Sequence, residues 1–197
     1  MRPFCIWITG RPGCGKSTVT NDLQALLQAE GIDVVVLNLD RLRRILTPEP
    51  SYTEEERSIV YRALALMAHL LVERGAKQVV VDATGHRRWF RDLARSLIPD
   101  FAEVYLACPV EVCEAREAGR KSTLVQTGLY RKARGGRLEG QMPGVDVPYE
   151  EPLQPELAIP IGEIAAGEAA RRIFDYIERR WGSARTETEW GGLEKRP

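Results

Sequence analysis

Short apolar runs alternate with amphipathic stretches along most of the chain. Phe4-Cys5-Ile6-Trp7-Ile8-Thr9, Ile32 to Leu39, Lys77 to Asp82 and Ala102 to Cys108 have the length and branched-aliphatic content of buried strands. Helices are predicted between them. Val19, Leu23, Leu26 and Leu27 share one helical face, with Gly31 as the stop, and Asp40 to Leu46 forms a short helix halted by Pro48 and Pro50. Thr53 with Glu56 reads as a capping box opening a long helix to about Arg74, ended by Gly75. A further helix spans 86–97, and Pro109 opens another through Arg116. Leu157 to Ile161 predicts the last strand, at a sheet edge because Pro160 lacks a ladder donor, and Glu163 to Trp181 the last helix. Repeated βα units predict an α/β fold with a parallel sheet covered by helices on both faces. Residues 1–181 read as a single domain and 182–197 as a polar, aperiodic tail.

Composition narrows the function classes. A chain of 197 residues suits one α/β core. Its 28 Lys and Arg balance 28 Asp and Glu, so net charge gives no reason to expect nucleic-acid binding. No apolar run approaches the ~20 residues of a membrane span, and the N-terminus reads as strand, not as a leader. Cys5, Cys14, Cys108 and Cys113 lie scattered, with no CxxC pair, which points to a reducing cytoplasm and to neither disulfide nor zinc. Cys5 and Cys108 fall in strand contexts and read as core.

The first strand runs into Gly10-Arg11-Pro12-Gly13-Cys14-Gly15-Lys16-Ser17, a complete G-x-x-x-x-G-K-[ST] loop, and a helix follows. Strand, glycine loop and helix is the order that phosphate cradling requires. Backbone N–H groups from Gly10 to Thr18 turn onto phosphate oxygens, assisted by the positive end of the helix. Lys16 reaches the outer phosphates, and the Ser17 hydroxyl suits Mg²⁺. The expected cofactors are therefore ATP and Mg²⁺. Cys14 is either a small residue tolerated at a variable loop position or a redox-reactive thiol.

In such a sheet the ligand sits beyond the carboxyl ends of the strands. Acids and arginines recur there: Asp40, Arg41, Arg43 and Arg44 after the second strand, then Asp82, Thr84, His86, Arg87, Arg88 and Arg91 after the third. Carboxylates and guanidinium groups around a nucleotide phosphate suit phosphoryl transfer. Asp82 ends Val79-Val80-Val81-Asp82 and reads either as a Walker-B-type carboxylate for Mg²⁺ or as an N-cap. Asp40 is either catalytic or a cap. At least one of Arg87, Arg88 and Arg91 is expected on the substrate, the alternative being a solvated face. His86 reads as a loop or helix-start residue, not a base, and His69 as helix packing. The basic segment within 117–147 reads as a lid over the phosphates, or as a solvated helix pair.

Longer motifs carry a family resemblance. Gly128-Leu-Tyr-Arg-Lys-Ala-Arg134 resembles the GLYxKAR lid segment of adenylylsulfate (APS) kinases. Cys108-Pro-Val-Glu-Val-Cys-Glu-Ala-Arg116 resembles their CPLEVCExR segment, and Pro143-Gly-Val-Asp-Val-Pro-Tyr-Glu-Glu-Pro152 their TGIDDPYExP stretch. The resemblance spans roughly residues 4–178. It implies a P-loop kinase fold, a homodimer, and MgATP-dependent phosphorylation of the APS 3′-hydroxyl to give PAPS. It places Asp40 on the acceptor hydroxyl, Arg43 and Arg57 on the acceptor's anionic group, and Tyr52 against its base. Thr84, Arg88, Lys132 and Met142 complete the implied substrate contacts.

The departures from the family are as specific. Asn38 replaces the first acid of DGDNxR, Val60 an asparagine, Gly85 a serine and Met142 a phenylalanine, and the lid is longer before Gly128. Asp82 stands where the family has no acid, so one carboxylate has moved from strand two to strand three. The acceptor is thus left between APS and a related small anionic metabolite, with a non-catalytic nucleotide sensor as a third class.

Overall fold

The computed structural model describes residues 1–75, 77–119, 128–136 and 141–182. Strands β1 (Phe4–Thr9), β2 (Val34–Asn38), β3 (Gln78–Asp82), β4 (Phe101–Ala107) and β5 (Leu157–Pro160) form one sheet in the order β2-β3-β1-β4-β5, every pair parallel. The helices are α1 (Lys16–Ala29), α2 (Leu39–Leu46), α3 (Glu54–Glu73), α4 (Arg88–Leu97), α5 (Val110–Ala118), α6 (Leu129–Arg134) and α7 (Ala166–Trp181). All predicted strands are present, and β5 lies at the edge, as Pro160 requires.

The alternation along β1 explains the layers. Phe4, Ile6 and Ile8 enter a core shared with Val19, Leu23 and Leu27 of α1 and Ile173 and Ile177 of α7. Cys5 and Trp7 point the other way, into a second core with Tyr61 and Leu64 of α3 and Phe90 of α4. Because β1 is buried on both faces, its sequence is apolar throughout. Each such buried side chain contributes about 1.5–3 kcal/mol. Phe4 stacks on Trp181, ring centroids 4.7 Å apart, which docks the end of α7 beside the first strand.

Helix boundaries differ from the sequence reading at polar starts. The predicted 86–97 helix begins at Arg88, because Arg87 is extended and serves as its N-cap. The last helix begins at Ala166, not Glu163, since Glu163 N–H closes a turn on the Pro160 carbonyl. Thr53 caps α3 by accepting from the Glu56 N–H, but the Glu56 carboxylate does not complete the box; it turns outward to Ser51 and Arg43. His69 pairs across one helical turn with Glu73 at 3.5 Å, a packing role. Within the expected lid, 120–127 and 137–140 lie outside the described residues, as does the expected tail beyond 182.

Candidate active site

β1, β3 and β2 are neighbours, and their carboxyl ends open on one cavity of about 600 Å³. The phosphate loop forms one wall. Gly13, Gly15, Lys16, Ser17 and Thr18 line the cavity with Pro12, while Gly10, Arg11 and Cys14 lie behind them. Gly13 has φ +81, and a Cβ there would stand 2.4 Å from the Cys113 carbonyl oxygen, so the loop has room for no side chain where it passes α5. The Lys16 ammonium folds back over the loop, donating to the Gly10 carbonyl at 3.1 Å and the Arg11 carbonyl at 3.3 Å. Tyr130 of α6 donates to the Pro12 carbonyl at 2.9 Å, tying the GLY segment to the loop.

Cys14 is fully buried beneath the loop. Burial raises its thiol pKa, against the lowering influence of Lys16, so the thiolate is disfavoured. This environment fits packing and not reactivity. All four cysteines are buried free thiols.

The Ser17 hydroxyl donates to Asp82 Oδ2 at 2.7 Å, and Asn38 Nδ2 donates to the same oxygen at 2.7 Å. Asp82 is therefore no cap; α4 begins six residues later with Arg87 as its N-cap. The cap of α2 is Asn38, whose Oδ1 accepts from the Arg41 N–H at 3.0 Å, which leaves Asp40 exposed on the cavity wall in the first turn.

An arginine-rich wall completes the cavity. Arg43, Arg44, Tyr52, Arg57, Tyr61, Gln141 and Met142 line it, with Thr84 below. Arg43 Nη1 donates to Glu56 Oε1 at 2.7 Å, and both side chains are largely buried. Glu56 Oε2 accepts from the Ser51 hydroxyl and also from the Tyr52 N–H. Burial raises the Glu56 pKa, but Ser51 and Arg43 outweigh it and hold the carboxyl below its ordinary value. Tyr52 has φ +54, a left-handed conformation that a bulky residue adopts at a cost and that clusters at functional sites. The guanidinium carbons of Arg43 and Arg57 lie 5.3 and 5.7 Å from its ring centre. Arg57 donates Nε to the Tyr52 carbonyl at 3.0 Å and Nη2 to the Gln141 carbonyl. Its burial lowers its pKa from the ordinary arginine value.

Other expected contacts lie outside this wall. Arg88 pairs with Glu150 at 3.8 Å and does not line the cavity, nor does Lys132. Arg87 binds Glu54 and Glu150, and Arg91 is buried against Glu103. The three arginines instead clamp the Pro-Tyr-Glu-Glu strap: Arg91 Nη2 donates to the Glu150 carbonyl at 2.8 Å, and the Glu150 carboxylate accepts from the Arg88 N–H. The strap in turn holds Tyr149, whose hydroxyl is 2.9 Å from Thr9 Oγ1, while Thr9 donates to the Thr84 carbonyl at 2.6 Å. Sequence reasoning missed Glu56 as the partner of Arg43, because its spacing from Thr53 matched a cap. His86, read as a loop or helix-start residue, lies in the loop before α4, fully buried beside Tyr61 and Phe90 and 3.7 Å from Glu54 Oε2.

A phosphate loop and a cluster of arginines thus line one cavity. The sequence profile of the adenylylsulphate kinase family matches residues 2–160. The chain belongs to that family. A probable adenylyl-sulfate kinase of Halalkalibacterium halodurans is 38% identical over 182 residues, covering 90% of this chain and 84% of the relative. One of Archaeoglobus fulgidus is 39% identical over 156 residues, covering 79% and 94%. The solved Mycobacterium tuberculosis APS kinase in complex with AMPPNP and APS superposes with a TM-score of 0.77 at 32% identity, covering 90% of this chain and 98% of that one. The chain is a kinase with the P-loop kinase fold of these relatives. No helix among the described residues is long and apolar enough to cross a membrane.

Proposed function

We propose that this APS-kinase-family chain transfers the γ-phosphoryl group of ATP to the 3′-hydroxyl of adenylylsulfate, giving PAPS, and that residues 1–181 are its catalytic unit. The observation that carries the reading is a single cavity lined by both sets of groups. Lys16, Ser17 and Asp82 line it together with Asp40, Arg43, Tyr52 and Arg57.

The roles follow from position. Lys16 leaves the Gly10 and Arg11 carbonyls to meet the β- and γ-phosphates, so a phosphate oxygen replaces neutral acceptors with a charged one. Backbone N–H groups in the first turn of α1 have no intrahelical acceptor and receive phosphate oxygens. Asp40 accepts the proton of the attacking hydroxyl and orients it in line. Arg43 and Arg57 hold the acceptor's anionic group, and Tyr52 presents its ring to a base.

The oxygens of Ser17 and Asp82, 2.7 Å apart beside the loop, form the hard donor set that Mg²⁺ takes. Mg²⁺ supplies charge neutralisation on the phosphates when bound.

A second acceptor is favoured by one observation. Val60, in the place of a family asparagine, is buried behind the cavity lining and offers no polar atom to support it. Each missing polar partner forfeits roughly 1–3 kcal/mol in a buried site. APS phosphorylation is therefore expected to be detectable but weak. Steady-state kinetics over a panel of hydroxyl acceptors, APS included, tests this. A kcat/KM for APS of ~10⁵ M⁻¹s⁻¹ or above shows that the departures are compensated. No APS turnover beside brisk turnover of another small anionic acceptor overturns the substrate. For assembly, Ile59, Leu66 and Leu70 expose an apolar stripe along α3 that supports a homodimer, tested by the mass of the chain in solution.

A further inference from the structure

We infer that Asn38 is a positioning residue that joins the metal carboxylate of the site to the acceptor-binding groups through one side-chain amide. The inference rests on the reading of Asp82 as the magnesium carboxylate. Asn38 and Asp82 are register partners at the carboxyl ends of the adjacent strands β2 and β3. Asn38 itself does not line the cavity. Its Nδ2 donates to Asp82 Oδ2 at 2.7 Å, and its Oδ1 accepts from the Arg41 N–H at 3.0 Å.

These partners leave the amide one orientation. A carboxylate only accepts and a backbone N–H only donates, so the nitrogen must face Asp82 and the oxygen must face α2. The bond to Asp82 holds Oδ2 on the Ser17 side, since both donors meet the same oxygen. The bond to Arg41 fixes the first turn of α2, and that helix carries Asp40 and Arg43 to the cavity. The base and the acceptor clamp are thereby set relative to the metal carboxylate.

The same geometry explains why amide and acid occur as a pair. An aspartate at position 38 could still cap α2, but it has no hydrogen to give Asp82 and would set carboxylate against carboxylate. Moving the acid to strand three therefore requires a neutral donor on strand two. Asparagine supplies the donor and the cap together.

Asn38→Ser separates the two functions. Serine caps a helix about as well as asparagine but cannot extend an amide hydrogen to Asp82. The test is a double-mutant cycle on the whole chain, Asn38→Ser against Asp82→Asn, read by calorimetric titration with ADP over a Mg²⁺ series. Hydrogen exchange of the Arg41 amide without nucleotide or metal reports whether the cap survives. Asp82→Asn alone is expected to raise the Mg²⁺ concentration needed for half-maximal tightening of ADP. Asn38→Ser alone is expected to raise it about 10-fold, the loss of a hydrogen bond to a charged group, with Arg41 still protected. In the Asp82→Asn background the same change is expected to move it less than twofold.

Full additivity, or an Asn38→Ser curve that overlies the parent's, overturns the inference while leaving the magnesium reading intact. An Asp82→Asn curve that overlies the parent's overturns both. Neither outcome depends on which acceptor the kinase uses. Loss of Arg41 protection in Asn38→Ser moves the first arm to Asn38→Asp. That variant keeps the cap, and recovery of parental Mg²⁺ dependence when it is combined with Asp82→Asn supports the pairing; no recovery overturns it.

Discussion

Glu103→Leu is expected to destabilise the fold far more than an ordinary surface change. Glu103 sits mid-strand in β4, on the face turned toward α4, and is 5% exposed. Its partner Arg91 is 1% exposed and donates Nε to Glu103, Nη1 to the Gly85 carbonyl and Nη2 to the Glu150 carbonyl. Removing the carboxylate leaves a buried guanidinium with two neutral acceptors and no counter-charge. Breaking a buried pair from one side costs about 3–5 kcal/mol. Arg95 loses less, because it keeps Glu156 at the surface. Against the roughly 5–15 kcal/mol stability of a typical domain, the change removes about a fifth at the least. Replacing both members, Glu103→Leu with Arg91→Met, removes the unpaired charge and should recover most of the loss, about 2 kcal/mol or more. Urea unfolding with the slope held constant measures all three variants. A Glu103→Leu loss under about 1 kcal/mol, or a double variant as damaged as the sum of the singles, would refute the pairing. The double variant also frees the Gly85 carbonyl and the strap, so the acceptor KM should rise while the fold stands.

Lys16→Ala should lower turnover at least ~100-fold with melting unchanged, in line with losses of preorganised charge partners; near-normal ATP turnover in the folded variant would contradict the loop's role. Asp40→Asn should depress kcat at saturating Mg²⁺, whereas Asp82→Asn should be rescued in part by added Mg²⁺, so a Mg²⁺ titration of rate separates them. His86 should weaken the fold in mild acid. Burial, with the Arg57 and Arg87 charges outweighing Glu54, holds its pKa down from 6.5 to about 4. The unfolded chain therefore binds the extra proton between those values, and stability falls as pH drops through that window. Melting temperatures of parent and His86→Leu from pH 7 to pH 4 check the sign: the parent should lose more.

The sheet was legible because its strands are buried on both faces, which forces unbroken apolar runs such as Val79-Val80-Val81. The phosphate loop was legible because its constraints are local. Position along a motif does not report direction in space. Arg88 reads as a substrate contact, yet its helix turns it toward Glu150. Glu56 has the spacing of a capping partner, yet its long side chain finds better acceptor work with Ser51 and Arg43. The bonds that gather the site join residues 65 and 44 positions apart, Ser17 and Asn38 to Asp82, and no periodicity encodes them.

Gly85 places a limit on how this chain can change. Its φ is +51, and a Cβ there would lie 2.9 Å from Arg91 Cγ and 3.1 Å from Cδ. A side chain at this position therefore both strains the backbone and crowds the Arg91 stem. Gly85→Ser would incur roughly 1–2 kcal/mol of backbone strain and displace the arm of an arginine that the strap depends on. The mutational path is ordered: Arg91 must first vacate that volume, and it cannot do so while Glu103 needs its charge. Arginine and glutamate at these positions thus have to change as a pair, and a side chain at position 85 can follow once that volume is free.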